Sequence, residues 1–358
     1  MQNNINRRKA LITGAASAGL FMGACAQPSG ELTENASPGF PLDDVWGEDF
    51  LMQWSPPGNL ERDLTPGSTP VRLSCAGARM RLPGEGESFG DVVKSIRDAG
   101  FTACESSDRG WDQITDSQIG EMQAALKEYD IDFYGIHIVV NIIDPDEARA
   151  RENRARIARG LELAERLGLK VVVTHTGGRH PKNKDMPHVD NWTRETWEMS
   201  VNALKQILND TRGGTVPLGV EAVNCCNNNT PESHVRLKQD VGDDRIKVTL
   251  DPCNMFHAGT YFRTTELINR CFDLLGEDIV YGHAKDKVWT DMMPNFQPAI
   301  LGQGNGNFDY ATYLVRLSRL SYTRALLIEH LPADQYPPSR QYLLDTAKQV
   351  GVRIYGEV

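Results

Sequence analysis

From about residue 69 onward, short apolar runs rich in β-branched residues alternate with longer stretches whose apolar positions recur every three or four residues. The short runs predict strands at 71–75, 101–105, 133–139, 170–175, 218–221, 246–250, 279–283 and 325–329. The longer stretches predict helices at 89–99, 116–129, 145–167, 193–208, 231–241, 264–275, 310–320 and 338–350. Strand and helix in strict alternation imply a parallel sheet, and eight such units predict an α/β fold of the closed (β/α)8 barrel type. An open doubly wound sheet would carry a Gly-rich phosphate turn after its first strand, and Cys75-Ala-Gly-Ala does not match that pattern.

Four of the strands end on a residue able to hold a metal. Glu221 closes Leu218-Gly-Val-Glu, Asp251 follows Ile246–Leu250 with Pro252 behind it, His283 closes Ile279-Val-Tyr-Gly-His, and Glu329 closes Ala325-Leu-Leu-Ile-Glu. They follow one another at 30, 32 and 46 residues, which makes them consecutive βα units with an insertion before the last. In a closed parallel barrel all strand ends share one mouth, so these side chains are expected to converge. One acidic residue at a strand end is commonly only a helix cap or an ion-pair member. Three buried carboxylates sharing a mouth would repel one another without a cation. Three carboxylates and an imidazole suit a divalent metal such as Mn, Mg, Co or Zn, with positions left for substrate oxygens.

Other positions are candidates for the same pocket. His137 and His175 end the third and fourth strands, and Glu105, ending the second, is a further acid or base. Lys285 is placed to contact a substrate oxygen, and Asp286 to orient His283 from behind. Trp111 and Trp289 lie in loops after strands, where an indole face can pack on the ring of a bound ligand. The basic loop 177–184 reads as a solvated charge cluster.

Composition narrows the class. The chain has 358 residues, 40% hydrophobic and 24% charged, enough for a large core. Its net charge of −10 lacks the basic footprint of a nucleic-acid binder. The seven cysteines contain no CxxC pair, so neither a zinc ribbon nor a disulfide framework is expected. At the amino terminus, Asn6-Arg-Arg-Lys9 precedes an uncharged run from Ala10 to Ala26, the pattern of an export signal of twin-arginine type. Two outcomes compete there: cleavage at Ala24-Cys-Ala26, or lipidation of Cys25 in Met22-Gly-Ala-Cys25. A periplasmic protein or a membrane-anchored lipoprotein is expected, with lipid on Cys25 as its membrane contact. The domain plan is an export signal over 1–26, a Pro/Gly-rich leader over 27–68 carrying Trp46, Phe50 and Trp54, and the barrel over 69–358.

Gly219-Val-Glu221, Leu250-Asp-Pro-Cys-Asn254, Gly282-His-Ala-Lys-Asp286, Leu301-Gly-Gln-Gly-Asn-Gly-Asn-Phe-Asp309 and Leu327-Ile-Glu329 together resemble the xylose isomerase-like barrels of the sugar phosphate isomerase/epimerase family. The resemblance runs from about residue 70 to the end. It implies a divalent metal on Glu221, Asp251, His283 and Glu329, with Glu221 and Glu329 as the acid and base that move a proton beside a sugar carbonyl. The chain departs from the family's keto-sugar epimerases at Asn254, where many have a histidine. Asn254 can hydrogen-bond a sugar hydroxyl but cannot shuttle a proton, and His257 lies further along.

The resemblance therefore points to an isomerase or epimerase acting on a free sugar or keto-sugar through an enediolate. A lyase-type cleavage of 3-keto-glycosides by C2 proton abstraction is the alternative from the same first step. A non-catalytic exported sugar-binding lipoprotein is the alternative of another class. AP endonucleases share the barrel, but they cluster more metals with more histidines on basic surfaces. A small-molecule carbohydrate is the expected partner, and oligomeric state has no signature in the chain.

Overall fold

The computed structural model describes residues 62–111, 113–289, 296–302 and 306–357. The predicted export signal, Cys25 and the aromatic residues of the leader lie outside them. No helix of the described residues is long and apolar enough to cross a membrane.

Eight strands form one parallel sheet: β1 (Arg72–Cys75), β2 (Ala103–Ser107), β3 (Asp132–His137), β4 (Val171–Thr174), β5 (Leu218–Glu221), β6 (Ile246–Leu250), β7 (Ile279–Ala284) and, after a two-stranded insertion, β10 (Ala325–Ile328). The first strand pairs with the last, Arg72 opposite Ala325 through Cys75 opposite Ile328. Strands β1 and β2 meet more loosely, through Thr102 N–H to Leu73 O at 3.1 Å and Met80 N–H to Glu105 O at 2.9 Å. The result is a nearly closed (β/α)8 barrel.

Helices α1 (Phe89–Asp98), α2 (Asp116–Glu128), α3 (Glu147–Leu167), α4 (Arg194–Asp210), α5 (Pro231–Val241), the single turn α6 (Ala258–Tyr261), α7 (Thr264–Leu275), α8 (Tyr310–Ser318) and α9 (Tyr336–Val350) surround it. Their ends are written locally. Ser88 and Asp91, Thr115 and Gln118, and Thr230 and Ser233 exchange capping hydrogen bonds at three amino termini. Gly168 and Gly242 adopt the left-handed conformation that stops α3 and α5. The Gly-rich turn before α8 closes on Asp309, whose carboxylate accepts from Thr312 N–H at 3.2 Å and caps that helix.

Most of the core lies between the strands and the helices. A second, smaller cluster (Ala103, Tyr134, Val171, Val173, Val280, Tyr281, Ala325 and Leu327) fills the barrel itself. The period of two along a strand carries this interior layer up to the mouth. Ala103 lies two residues below Glu105, Val173 below His175, Tyr281 below His283 and Leu327 below Glu329. Gly219, two below Glu221, leaves no room for a side chain: a Cβ there would stand 2.6 Å from Thr249 Oγ1 and 2.7 Å from Val171 Cγ2.

The expected insertion before the last unit contains structure that periodicity does not announce. Strands β8 (Asp286–Trp289) and β9 (Phe296–Ala299) pair antiparallel, Trp289 opposite Phe296. The six cysteines among the described residues are free.

Candidate active site

Glu221, Asp251, His283 and Glu329 come together at the carboxyl ends of β5, β6, β7 and β10, four neighbouring strands in the order β5-β6-β7-β10. One ligand atom from each lies within 4.8 Å of the other three. His283 Nδ1 faces all three carboxylates, at 2.8 Å from Glu329 Oε1, 3.2 Å from Glu221 Oε1 and 3.7 Å from Asp251 Oδ2. Three oxygens and one imidazole nitrogen, buried and aimed at one point, are a donor set that fits a divalent cation.

Electrostatics keep Glu221 and Glu329 ionised. Burial alone would raise Glu221, but His283, Lys285 and His175 outweigh it and hold it well below the usual carboxylate range. Glu329 is lowered in the same way, burial being overcome by His283 and Lys285. Burial would depress His283, and the negative charge of Glu329 and Glu221 lifts it well above an ordinary histidine.

A second layer holds Glu221. His175 Nε2 lies 3.1 Å from Glu221 Oε2, and Asn254 Nδ2 donates to Glu221 Oε1 at 2.8 Å. His175 Nδ1 is backed by Lys184 Nζ at 3.4 Å and Asp185 at 3.8 Å. The loop over 177–184 is thus more than a solvated charge cluster: its last lysine and the following Asp185 reach the ring that supports a ligand. Sequence reasoning missed Asp185 and Tyr281. The signal for Tyr281 was its place two residues before His283 on one strand face.

Across the mouth, Glu105 and His137 form a pair, Nε2 to Oε2 at 2.6 Å. Tyr281 O–H donates to the same Glu105 oxygen at 3.3 Å. The His137 ring is 5.4 Å from that of His283, so the pair stands beside the four-residue cluster.

Three expectations, for Lys285, Asp286 and Trp111, need correcting. Lys285 does not point at an open substrate position; its Nζ lies 2.6 Å from Asp251 Oδ2 and 2.6 Å from Glu329 Oε1. Asp286 does not orient His283. Three residues on, it faces the other way and accepts from the backbone of Lys287, Asn307 and Phe308. Trp111 is buried, donates to Ser106 Oγ at 3.1 Å and packs on Phe133, so it presents no face to the mouth. Trp289 belongs to an aromatic cluster on the β8–β9 hairpin, 5.0 Å from Phe296 and 5.8 Å from Tyr261. Asn254 is committed to Glu221, and His257 caps α6 by accepting from Gly259 N–H at 3.1 Å.

A family model described as xylose isomerase-like TIM barrel matches residues 93–347. No curated protein matches the sequence. Among solved structures, endonuclease IV from Thermus thermophilus superposes with a TM-score of 0.59 at 17% identity, covering 78% of this chain and 99% of its own. D-psicose 3-epimerase from Clostridium cellulolyticum gives 0.56 at 14%, covering 79% and 100%. A probable 3-DHS dehydratase from Bacillus anthracis gives 0.56 at 14%, covering 76% and 97%. At these identities the likeness is one of fold, and three different chemistries share it.

Proposed function

The chain belongs to the xylose isomerase-like TIM barrel family, and from that premise we propose that it is a metal-dependent enzyme that moves a proton beside the carbonyl of a free sugar or keto-sugar. The observation that carries the reading is the convergence of Glu221, Asp251, His283 and Glu329 on one buried point. A divalent cation held there would polarise a carbonyl and its neighbouring hydroxyl, acidifying the C–H between them.

The chain's own groups do the rest. Glu221 and Glu329 are both held ionised, and two strands, β6 and β7, separate theirs, so they approach a bound carbon from different directions. One takes the proton to give an enediolate. The same carboxyl then returns it to the neighbouring carbon, relocating the carbonyl, or the other carboxylate, once it has taken up a proton from solvent, delivers that proton from its own side and inverts the centre. His175 fixes the orientation of Glu221, while Asn254 accounts for a second hydrogen bond to it. The amino-terminal export pattern favours a free sugar or glycoside over a phosphorylated metabolite.

A second reading, elimination from a 3-keto-glycoside, is favoured by the Glu105–His137 pair. Abstraction of the C2 proton places an electron pair that expels the C1 substituent, and His137, paired with Glu105, is the group assigned to protonate the departing oxygen. Phosphodiester cleavage is less well supported: the net charge is −10, and the metal-capable grouping found among the described residues has a single histidine.

The test is turnover of free ketoses, aldoses and 3-keto-glycosides by the purified protein with Mg²⁺ or Mn²⁺, followed by chromatography. A new sugar supports epimerisation or isomerisation, and a released aglycone supports elimination. Sugar bound in stoichiometric amount with no turnover across the panel would make the protein a carbohydrate binder instead.

A further inference from the structure

The three carboxylate oxygens that His283 Nδ1 faces are also the three that Lys285 Nζ faces. The ammonium lies 2.6 Å from Asp251 Oδ2, 2.6 Å from Glu329 Oε1 and 3.6 Å from Glu221 Oε1. It is 5% exposed, and outside this set it meets Asn254 Oδ1 at 3.5 Å. A lysine on the rim of a metal site would reach one carboxylate from outside. Lys285 instead engages the same oxygen from each of three ligands that the imidazole faces.

We propose that Lys285 is a built-in counter-ion that shares these oxygens with the divalent cation, so that loading the site exchanges one cation for another. The inference rests on reading the four-residue cluster as a metal site. An ammonium and a divalent ion cannot both occupy the inner side of the same three oxygens, because their charges repel at that distance.

The backbone fixes which part of Lys285 moves. Its carbonyl accepts from Tyr310 O–H at 2.7 Å and from Cys253 Sγ at 3.0 Å, so the main chain is pinned on two sides. The four-carbon side chain is the part free to swing, a property lysine has and a rigid guanidinium lacks.

Two consequences follow. Before loading, the Lys285 ammonium offsets part of the repulsion among three buried carboxylates, the role the metal takes over once it is bound. After loading, the displaced ammonium remains within one side-chain length of the reacting carbon, where it serves a developing oxyanion. Lys285 is thus a positioning residue in one state and a substrate-facing cation in the other.

The experiment is a titration of chelator-stripped full-length protein with Mn²⁺, read by electron paramagnetic resonance of the free ion, for the wild type, Lys285→Met and Lys285→Gln. Both neutral variants are expected to bind Mn²⁺ about tenfold more tightly or better, because removing the competitor leaves three buried carboxylates uncompensated. Thermal denaturation in chelator and in Mn²⁺ supplies an independent readout: the gain in Tm on adding Mn²⁺ is expected to be larger in both variants than in the wild type. Folding of the variants only when Mn²⁺ is present is the extreme of the same result. Equal or weaker Mn²⁺ affinity in both variants, with the wild type binding, overturns the exchange while leaving the metal site intact. Failure of both variants to fold with or without Mn²⁺ also overturns it. Absence of Mn²⁺ binding by the wild type would instead remove the metal reading itself.

Discussion

His137 Nε2 lies 2.6 Å from Glu105 Oε2 on β3 and β2, facing the four-residue cluster from the other half of the barrel. The pair is separate from the cluster's carboxylates, so proton abstraction and leaving-group protonation rest on different side chains. His137→Asn is expected to slow release of the aglycone from a 3-keto-glycoside by about a hundredfold. Deuterium uptake beside the carbonyl of a simple ketose should change far less. Parallel loss of both would assign His137 to the first step instead, and NMR on the two substrates distinguishes these outcomes.

Metal loading should appear as stability. At a hundred times its Kd, a cation bound by the folded state alone stabilises by about 2.7 kcal/mol. Urea denaturation of the chelator-treated and Mg²⁺-saturated protein should show this shift, and Glu221→Gln should remove most of it. Glu221 is the informative position because His175 and Asn254 hold it in place, so the substitution deletes a charge from an otherwise supported geometry.

His234, on α5, gives the fold a pH dependence of predictable sign. Burial pushes it down to about 4, with the charge of Glu221 opposing, while an unfolded histidine titrates near 6.5. Between those values the unfolded chain binds a proton that the folded one does not. The contribution is therefore complete above pH 6.5 and is lost as pH falls towards 4, amounting to about 3 kcal/mol at the acid limit. His234→Gln should flatten the denaturation midpoint over that window relative to wild type.

Gly219 sits two residues below Glu221 on the inner face of β5, where no side chain fits without moving Thr249 or Val171. Gly219→Val should destabilise the barrel by about 2 kcal/mol through overpacking. Because the displaced wall carries Glu221, Mg²⁺ affinity should fall as well. A stable variant with normal affinity would show that the wall yields elsewhere.

Much of this architecture is legible in the chain because two short-range rules reinforce each other. Alternating strand and helix patterns give the barrel, and polar residues at the carboxyl ends of the second to the last strands give the mouth. Pro231–Val241 and Thr264–Leu275 are helices with the bounds the pattern predicts. What the chain conceals is tertiary. The β8–β9 hairpin is two four-residue strands, one containing Pro298, and it is packed by Phe256 and Tyr261 from the loop after β6. The support of His175 by Lys184 and Asp185 exists only because a loop folds back. Lys285 and Asp286 are instructive in the other direction. Position two after His283 shares its side and position three does not, so strand periodicity could have assigned the lysine to the cluster and the aspartate elsewhere.

The central claim is that this mouth removes a proton beside a sugar carbonyl. The most direct measurement is proton NMR in D₂O of the Mg²⁺-loaded protein with free ketoses and 3-keto-glycosides. Loss of the signal next to the carbonyl, at a rate abolished by Glu221→Gln and by Glu329→Gln, is the predicted result. Full retention of that signal across the panel, with Mg²⁺ demonstrably bound, would contradict the account.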